Sequence, residues 1–303
     1  MGVKTVEIIS GTTDFYLNRE TAVAMGKFDG VHIGHRRLLE EITGQEKLTS
    51  CVFTFDPSPA RFFGMGDGRE LTTREEKRML FERMGVDILI EFPLTRETAA
   101  ISPESFVSDV LAGQLEARLI AAGTDLSFGA GGRGDGELLC KMGDELGFSV
   151  KIIDKVCLDG QEVSSTYIRS QVEAGNMELA ELLLGIPYPV MGKVVSGNRI
   201  GSAKLGFPTA NLLPEEGKLL PPNGVYESEV ICRGRKFKGI TNVGCKPTVD
   251  RGGIMGVETY LYDFTEEIYG ESLEVYLKTF KRPEKRFESL EALKEQLRKD
   301  IEP

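Results

Sequence analysis

The chain has 303 residues and a net charge of −10 at neutral pH, with 41% hydrophobic and 28% charged residues. That balance supplies enough apolar material for packed cores and excludes a disordered chain, while the length favours two domains over one. A negative field over the whole molecule repels nucleic acid and anionic membrane, so neither is an expected partner, although a helix N-terminus can still hold a small phosphate-bearing anion.

In chain order, Thr21 to Met25, Ser50 to Phe55 and Asp87 to Glu91 read as strands, with helical patterns at His35 to Ile42 and Thr73 to Met84. Pro103 to Leu111 reads as a further helix, and Ala117 to Ala122 and Ser149 to Ile153 as further strands. About five strands alternating with helices imply an α/β domain built on a parallel sheet. From Ser165 to Leu184 the pattern is helical, and it stops at Gly185-Ile-Pro-Tyr-Pro189, where glycine and two prolines forbid more helix. The domain boundary is placed there, giving residues 1–184 and 185–303.

Beyond the boundary, Met191 to Val195, Val225 to Cys232, Lys236 to Asn242, Val257 to Leu261 and Leu273 to Phe280 alternate as strands between Gly, Pro and Asn turns. A small, mainly-β antiparallel barrel is expected, with a terminal amphipathic helix carrying Leu290, Leu293, Leu297 and Ile301 against one face. The cysteines Cys51, Cys140, Cys157, Cys232 and Cys245 form no C-x-x-C pair, so neither a disulfide framework nor a zinc site is indicated. Met1 to Ser10 shows no basic region leading an apolar run, and no apolar stretch approaches membrane-spanning length, so a reducing cytoplasmic location is expected.

The only histidines, His32 and His35, lie three apart in Gly26-Lys-Phe-Asp-Gly-Val-His-Ile-Gly-His35, between an expected strand and an expected helix. Glycines at such a turn let the backbone approach a ligand, and the N–H groups of the helix start favour phosphate. Imidazoles there can donate to phosphoryl oxygens. A metal pair or two surface histidines are the alternatives, and Asp29 alone adds little toward a metal. A second element, Val163-Ser-Ser-Thr-Tyr-Ile-Arg169, sets three hydroxyls at an expected helix start with an arginine one turn on. Capping accounts for one of Ser164, Ser165 and Thr166, and the set with Arg169 also fits a second phosphate cradle.

No G-x-x-x-x-G-K-[ST] segment occurs, so any γ-phosphate transfer needs another way of holding the nucleotide. In Gly206-Phe-Pro-Thr-Ala-Asn211, Gly206 and Pro208 set a turn. That turn either presents the Thr209 hydroxyl and Asn211 amide to a magnesium ion with its phosphates or is only a turn. Glu258, on an expected strand, is either a solvent-facing residue or a positioned carboxylate.

Gly123-Thr-Asp-Leu-Ser-Phe-Gly129 and Arg133-Gly-Asp135 accompany the first two elements. Pro222-Asn-Gly-Val-Tyr226, Asn242-Val-Gly-Cys-Lys-Pro-Thr248, Val257-Glu258 and Asp263-Phe264 follow the third. With these segments the chain resembles, over nearly its whole length, the bacterial bifunctional riboflavin kinase/FMN adenylyltransferase (FAD synthetase) family. The resemblance implies a Rossmann-like nucleotidyltransferase in residues 1–184 that adenylylates FMN, and a riboflavin kinase with a Greek-key-like barrel in residues 185–303. ATP and Mg²⁺ serve both sites, with riboflavin and FMN as the other substrates.

By motif match, His32, His35 and Arg169 handle the charge of the adenylylation step, and Gly26, Phe28, Asp29, Gly30, Asp125, Ser164, Ser165 and Thr166 join them in binding ATP. Gly206, Pro208, Thr209 and Asn211 bind ATP in the barrel, Thr209 and Asn211 reach the metal, and Glu258 is the base that deprotonates the ribityl 5′-hydroxyl. Four departures from the family pattern bear on these roles. Ser58 stands where histidine is frequent, Leu126 where phenylalanine is usual and Tyr260 where histidine is usual, and Gly201 to Gly206 carries no arginine. A kinase with impaired adenylylation, or a flavin-binding regulatory protein without chemistry, are the alternatives.

Overall fold

The computed structural model describes residues 5–195, 209–246, 254–285 and 290–301. By internal contacts the chain sorts into two compact units, Met1–Arg69 with Lys77–Ser164, and Glu70–Glu76 with Ser165–Pro303. The sequence boundary follows composition and falls after Leu184; packing groups the residues from Ser165 onward with the barrel.

The first unit is a parallel sheet of β1 (Glu7–Ser10), β2 (Thr21–Met25), β3 (Thr49–Asp56), β4 (Ile88–Pro93), β5 (Ala117–Gly123) and β6 (Ser149–Ile153) in the order β1-β4-β3-β2-β5-β6. The sheet thus has six strands where about five were expected. β1 has four residues, of which only Ile8 and Ile9 are apolar, too short a run to announce it. β2 is buried at every position, as a central parallel strand covered on both faces must be.

Around the sheet lie α1 (Ile33–Thr43), α2 (Pro59–Phe62), α3 (Arg74–Arg83), α4 (Pro103–Ser105) and α5 (Gly136–Leu146). Residues Phe106–Gln114 continue α4 as π-helix, closed by Leu115 N–H donating to the Val110 carbonyl at 2.9 Å. The helix expected from Pro103 therefore runs past Leu111, in the wider winding that buries Phe106, Val107, Val110 and Leu111. A two-stranded hairpin, β7 (Cys157–Leu158) and β8 (Gln161–Glu162), turns on Asp159-Gly160, both at positive φ, the conformation that a type I′ turn demands.

The second unit opens with α6 (Ser165–Ala174) and α7 (Met177–Leu184). There follow β9 (Tyr188–Val195), β10 (Thr209–Pro214), β11 (Gly224–Cys232), β12 (Arg235–Lys246), β13 (Ile254–Leu261), β14 (Ser272–Pro283) and α8 (Leu290–Ile301). The six strands close into a barrel in the order β10-β13-β12-β11-β14-β9, with every pair antiparallel.

β10 is a correction to the sequence reading, which put Thr209 and Asn211 on a turn. They are strand residues: polar Thr209 and Asn211 alternate with apolar Ala210 and Leu212, a period of two that the preceding glycine and proline obscure. Gly206, Pro208 and the Gly201 to Gly206 stretch lie outside the described residues.

A buried ion pair organises the start of this unit. Lys218 Nζ donates to Glu76 Oε2 and to the Leu71 carbonyl, both at 2.6 Å, with the two charged side chains 1% and 0% exposed. Glu76 also accepts from the backbone N–H groups of Thr73 and Met191, and the Tyr188 hydroxyl shares its one proton between the carbonyls of Leu219, at 2.7 Å, and Leu71, at 2.9 Å. Charges so deeply placed persist only when paired and fully hydrogen-bonded.

Candidate active sites

In the parallel sheet the connections run one way from β2 through β3 to β4 and the other way from β5 to β6, so the order reverses between β2 and its neighbour β5. Open α/β sheets bind ligands beyond the carboxyl ends of their strands at such a reversal. Both first-unit motifs sit there. Gly26 to His32 follows β2, and Thr124 and Asp125 follow Gly123, the last residue of β5.

The turn after β2 is tightly wound. Phe28 and Val31 hold positive φ values of 51° and 43°, which β-branched valine adopts only when its surroundings impose it, and Gly30 sits at 87°. The Phe28 ring is fully buried and packs tilted against His35 and edge-on against Phe81, at 5.1 and 5.4 Å between centroids. That packing fixes the loop and feeds the chain into α1, whose N-cap is His32. The His32 Nδ1 accepts the backbone N–H of His35 at 3.3 Å, so the ring proton is on Nε2.

The two imidazoles stack at 3.7 Å and 19°. Burial lowers His32 to about 4, against an opposing pull from Asp125, and burial followed by the neighbouring His32 and Lys77 takes His35 well below the ordinary histidine value. Both rings are therefore neutral near pH 7 rather than cations. His35 Nδ1 and Arg36 Nε are buried without a hydrogen-bond partner among the described residues.

Asp125 lies in a tight turn closed by Leu126 N–H to the Gly123 carbonyl at 3.0 Å, and Lys155 Nζ approaches its carboxylate at 3.6 Å. Gly134 is required by close approach, since a Cβ there would enter the Phe128 ring, 2.5 Å from its nearest atom. Ser164 ends the first unit, and Ser165, Thr166 and Arg169 lie at the start of α6, grouped with the second. Of the two side-chain departures in this half, Ser58 caps α2 by accepting Arg61 N–H at 3.4 Å, and Leu126 packs against the apolar core.

In the second unit the register sets Asn211 of β10 directly opposite Glu258 of β13, and Glu258 directly opposite Asn242 of β12. Thr209 and Asn211 are two residues apart and share the Glu258 face, while the intervening Ala210, Val257 and Thr259 are buried in the barrel. Thr209 Oγ1 donates to Glu258 Oε1 at 2.5 Å, a charge-assisted bond that fixes the carboxylate. Glu258 is thus neither loose nor facing open solvent alone. Tyr260, the third side-chain departure, rests edge-on against Tyr262 at 5.6 Å.

Sequence reading missed Lys77, Phe81 and Arg36 around the histidines and Asn242 beside Glu258. Only Asn242 carried a signal, since it lies in the Asn242 to Thr248 segment noted for its resemblance.

A Rossmann-like sheet with a histidine-capped helix start, joined to a closed barrel with a clamped carboxylate, fits a two-part transferase. The FAD synthetase family model matches residues 15–167 and the riboflavin kinase family model matches residues 184–303. The bifunctional riboflavin kinase/FMN adenylyltransferase of Escherichia coli K12 is 38% identical over 283 residues, covering 92% of this chain and 90% of that one. Those of Listeria monocytogenes and Bacillus subtilis are 36% and 32% identical over 294 and 297 residues, covering 95% and 93% of this chain and 93% and 90% of theirs. A crystal structure from Streptococcus pneumoniae described as a macrolide-efflux protein matches at 30% identity with a TM-score of 0.85, over 99% of this chain and 98% of that one. Among the described residues no helix is long and apolar enough to cross a membrane. The chain belongs to the bifunctional riboflavin kinase/FMN adenylyltransferase family, and it is an enzyme with both activities.

Proposed function

We propose that the two activities are divided between the two domains, with FMN adenylylation in residues 1–184, riboflavin phosphorylation in residues 185–303, and ATP held separately in each. The relation that carries the kinase assignment is the Thr209–Glu258 bond with Asn211 opposite the same carboxylate. A ribityl alcohol is neutral and gains from a positioned carboxylate during attack, which is the role given to Glu258. The hydroxyl oxygen bonds to the γ-phosphorus of ATP, the bond to the β-phosphate oxygen breaks, ADP departs, and Glu258 takes the proton.

Thr209 and Asn211 offer neutral oxygens, the donors that suit a magnesium ion sharing its shell with phosphates, and a bound Mg²⁺ would neutralise charge on the transferring group. Gly206 and Pro208 complete this nucleotide site in the proposal. In the first domain the nucleophile is the FMN phosphate, already ionised, so the site needs alignment and charge stabilisation more than a base. An FMN phosphate oxygen bonds to the α-phosphorus, and pyrophosphate leaves.

His32 and His35 donate to the phosphates, helped by the N–H groups of α1. The partnerless nitrogens of His35 and Arg36 suit anion acceptors. At the start of α6, Ser165, Thr166 and Arg169 offer two hydroxyls and a cation for phosphate, with Ser164 just before them. Gly26, Phe28, Asp29, Gly30 and Asp125 shape the same nucleotide site, and the enzyme works in the cytoplasm on riboflavin, FMN and ATP with Mg²⁺.

Incubation of the protein with riboflavin, ATP and magnesium, followed by chromatography of the flavins, yields FMN and then FAD. Accumulation of FMN without FAD would overturn the adenylylation assignment, and unchanged riboflavin would overturn the kinase assignment.

A further inference from the structure

Glu258 has a second neighbour on its open face, and that neighbour is itself held. Asn242 Nδ2 donates to Glu284 Oε1 at 3.2 Å, and Asn223 Nδ2 makes a longer contact to Glu284 Oε2 at 3.4 Å. A Cβ at Gly244 would fall on the Glu284 carboxylate as it stands, so the bare glycine leaves room for Glu284 beside Asn242. A carboxylate only accepts hydrogen bonds, which fixes the orientation of an amide facing it: the NH₂ group must turn toward Glu284 and the carbonyl oxygen away.

Glu284 therefore turns the Asn242 and Asn223 amides so that they offer oxygens. Asn242 stands directly opposite Glu258, so its oxygen and that carboxylate make a surface of acceptors. Phosphate, itself an acceptor, finds no partner on such a surface, but a chain of hydroxyls finds one at every oxygen. Position separates the two substrates in the same way. Glu258 has Asn211 directly opposite on one side and Asn242 on the other, each one strand spacing of about 4.8 Å away. The β10 side carries the nucleotide in the proposal above, which leaves the β12 side for the alcohol.

We infer that Asn242 and Asn223, oriented by Glu284, form the subsite that reads the polyol chain of the flavin and delivers its terminal hydroxyl to Glu258. Glu284 is a positioning residue, and Asn242 determines specificity. This inference rests on the kinase reading of the barrel.

The test compares riboflavin with lumiflavin, which keeps the ring system but has a methyl group in place of the polyol. Affinities for both, from flavin fluorescence quenching, and KM values for riboflavin and ATP are measured for wild type, Asn242→Leu, Glu284→Ala and the shape-preserving Glu284→Gln, with thermal unfolding to check folding. Asn242→Leu and Glu284→Ala are expected to weaken riboflavin about tenfold or more while changing lumiflavin affinity and KM for ATP less than about twofold, with Glu284→Gln between them and wild type. Equal loss for both flavins, a parallel rise in KM for ATP, or unchanged riboflavin affinity would overturn the subsite alone, provided wild type makes FMN. Wild type that makes no FMN would overturn the kinase reading and the subsite with it.

Discussion

The rings of His32 and His35 stack face to face, 3.7 Å between centroids, at the start of the helix that His32 itself caps. Burial disfavours a charge on either imidazole, and two charges on the stack would also repel each other.

Stability should therefore depend on pH in a defined direction. The folded His32 titrates near 4, below its ordinary 6.5, so as pH falls the unfolded chain takes up the proton first. The contribution is complete above about pH 6.5 and is lost between 6.5 and 4; for His32 alone it amounts to about 3 kcal/mol. His35 acts in the same sense. His32→Asn keeps a good helix cap without the titrating ring. Urea unfolding at pH 7 and pH 4.5 should show a smaller acid loss for the variant than for wild type, and equal losses would contradict the burial argument.

Gly129 separates two causes of glycine dependence. It holds φ at 67°, and a Cβ there would lie 2.6 Å from Pro103 Cα. Gly64 has nearly the same φ, 65°, but a Cβ there would meet nothing within 4 Å. Gly129→Ala is expected to cost about 3 kcal/mol or more and Gly64→Ala about 1 kcal/mol, measured by chemical denaturation.

Breaking the buried pair from one side should be severe. Glu76→Ala leaves Lys218 charged with its carboxylate gone, a loss of about 3–5 kcal/mol, whereas Glu76→Leu combined with Lys218→Met removes both charges and should cost much less than the two single changes added. Additive losses in denaturant titrations would show that the two charges do not depend on each other.

Much of this was legible in the chain. The alternation of apolar strands with helices announced the parallel sheet, and the paired histidines between strand and helix marked the first site, because local spacing carries both signals. β10 was not legible, since its period of two starts immediately after a glycine and proline that read as a turn. Glu76 and Lys218 are 142 residues apart, and only the fold reveals that they meet. Asn242 and Glu284 are likewise 42 residues apart and are joined by a glycine whose role appears only when a side chain is placed on it.

Two separate sites are the central claim, and Glu258→Gln set beside the double variant His32→Asn and His35→Ala tests it most directly. Each protein is given riboflavin in one assay and FMN in another, with ATP and magnesium, and the flavins are separated. The expected result is that Glu258→Gln lowers FMN formation by about 100-fold or more while still making FAD from supplied FMN, and that the histidine variant does the reverse. Equal damage to both reactions in either folded variant would contradict the account.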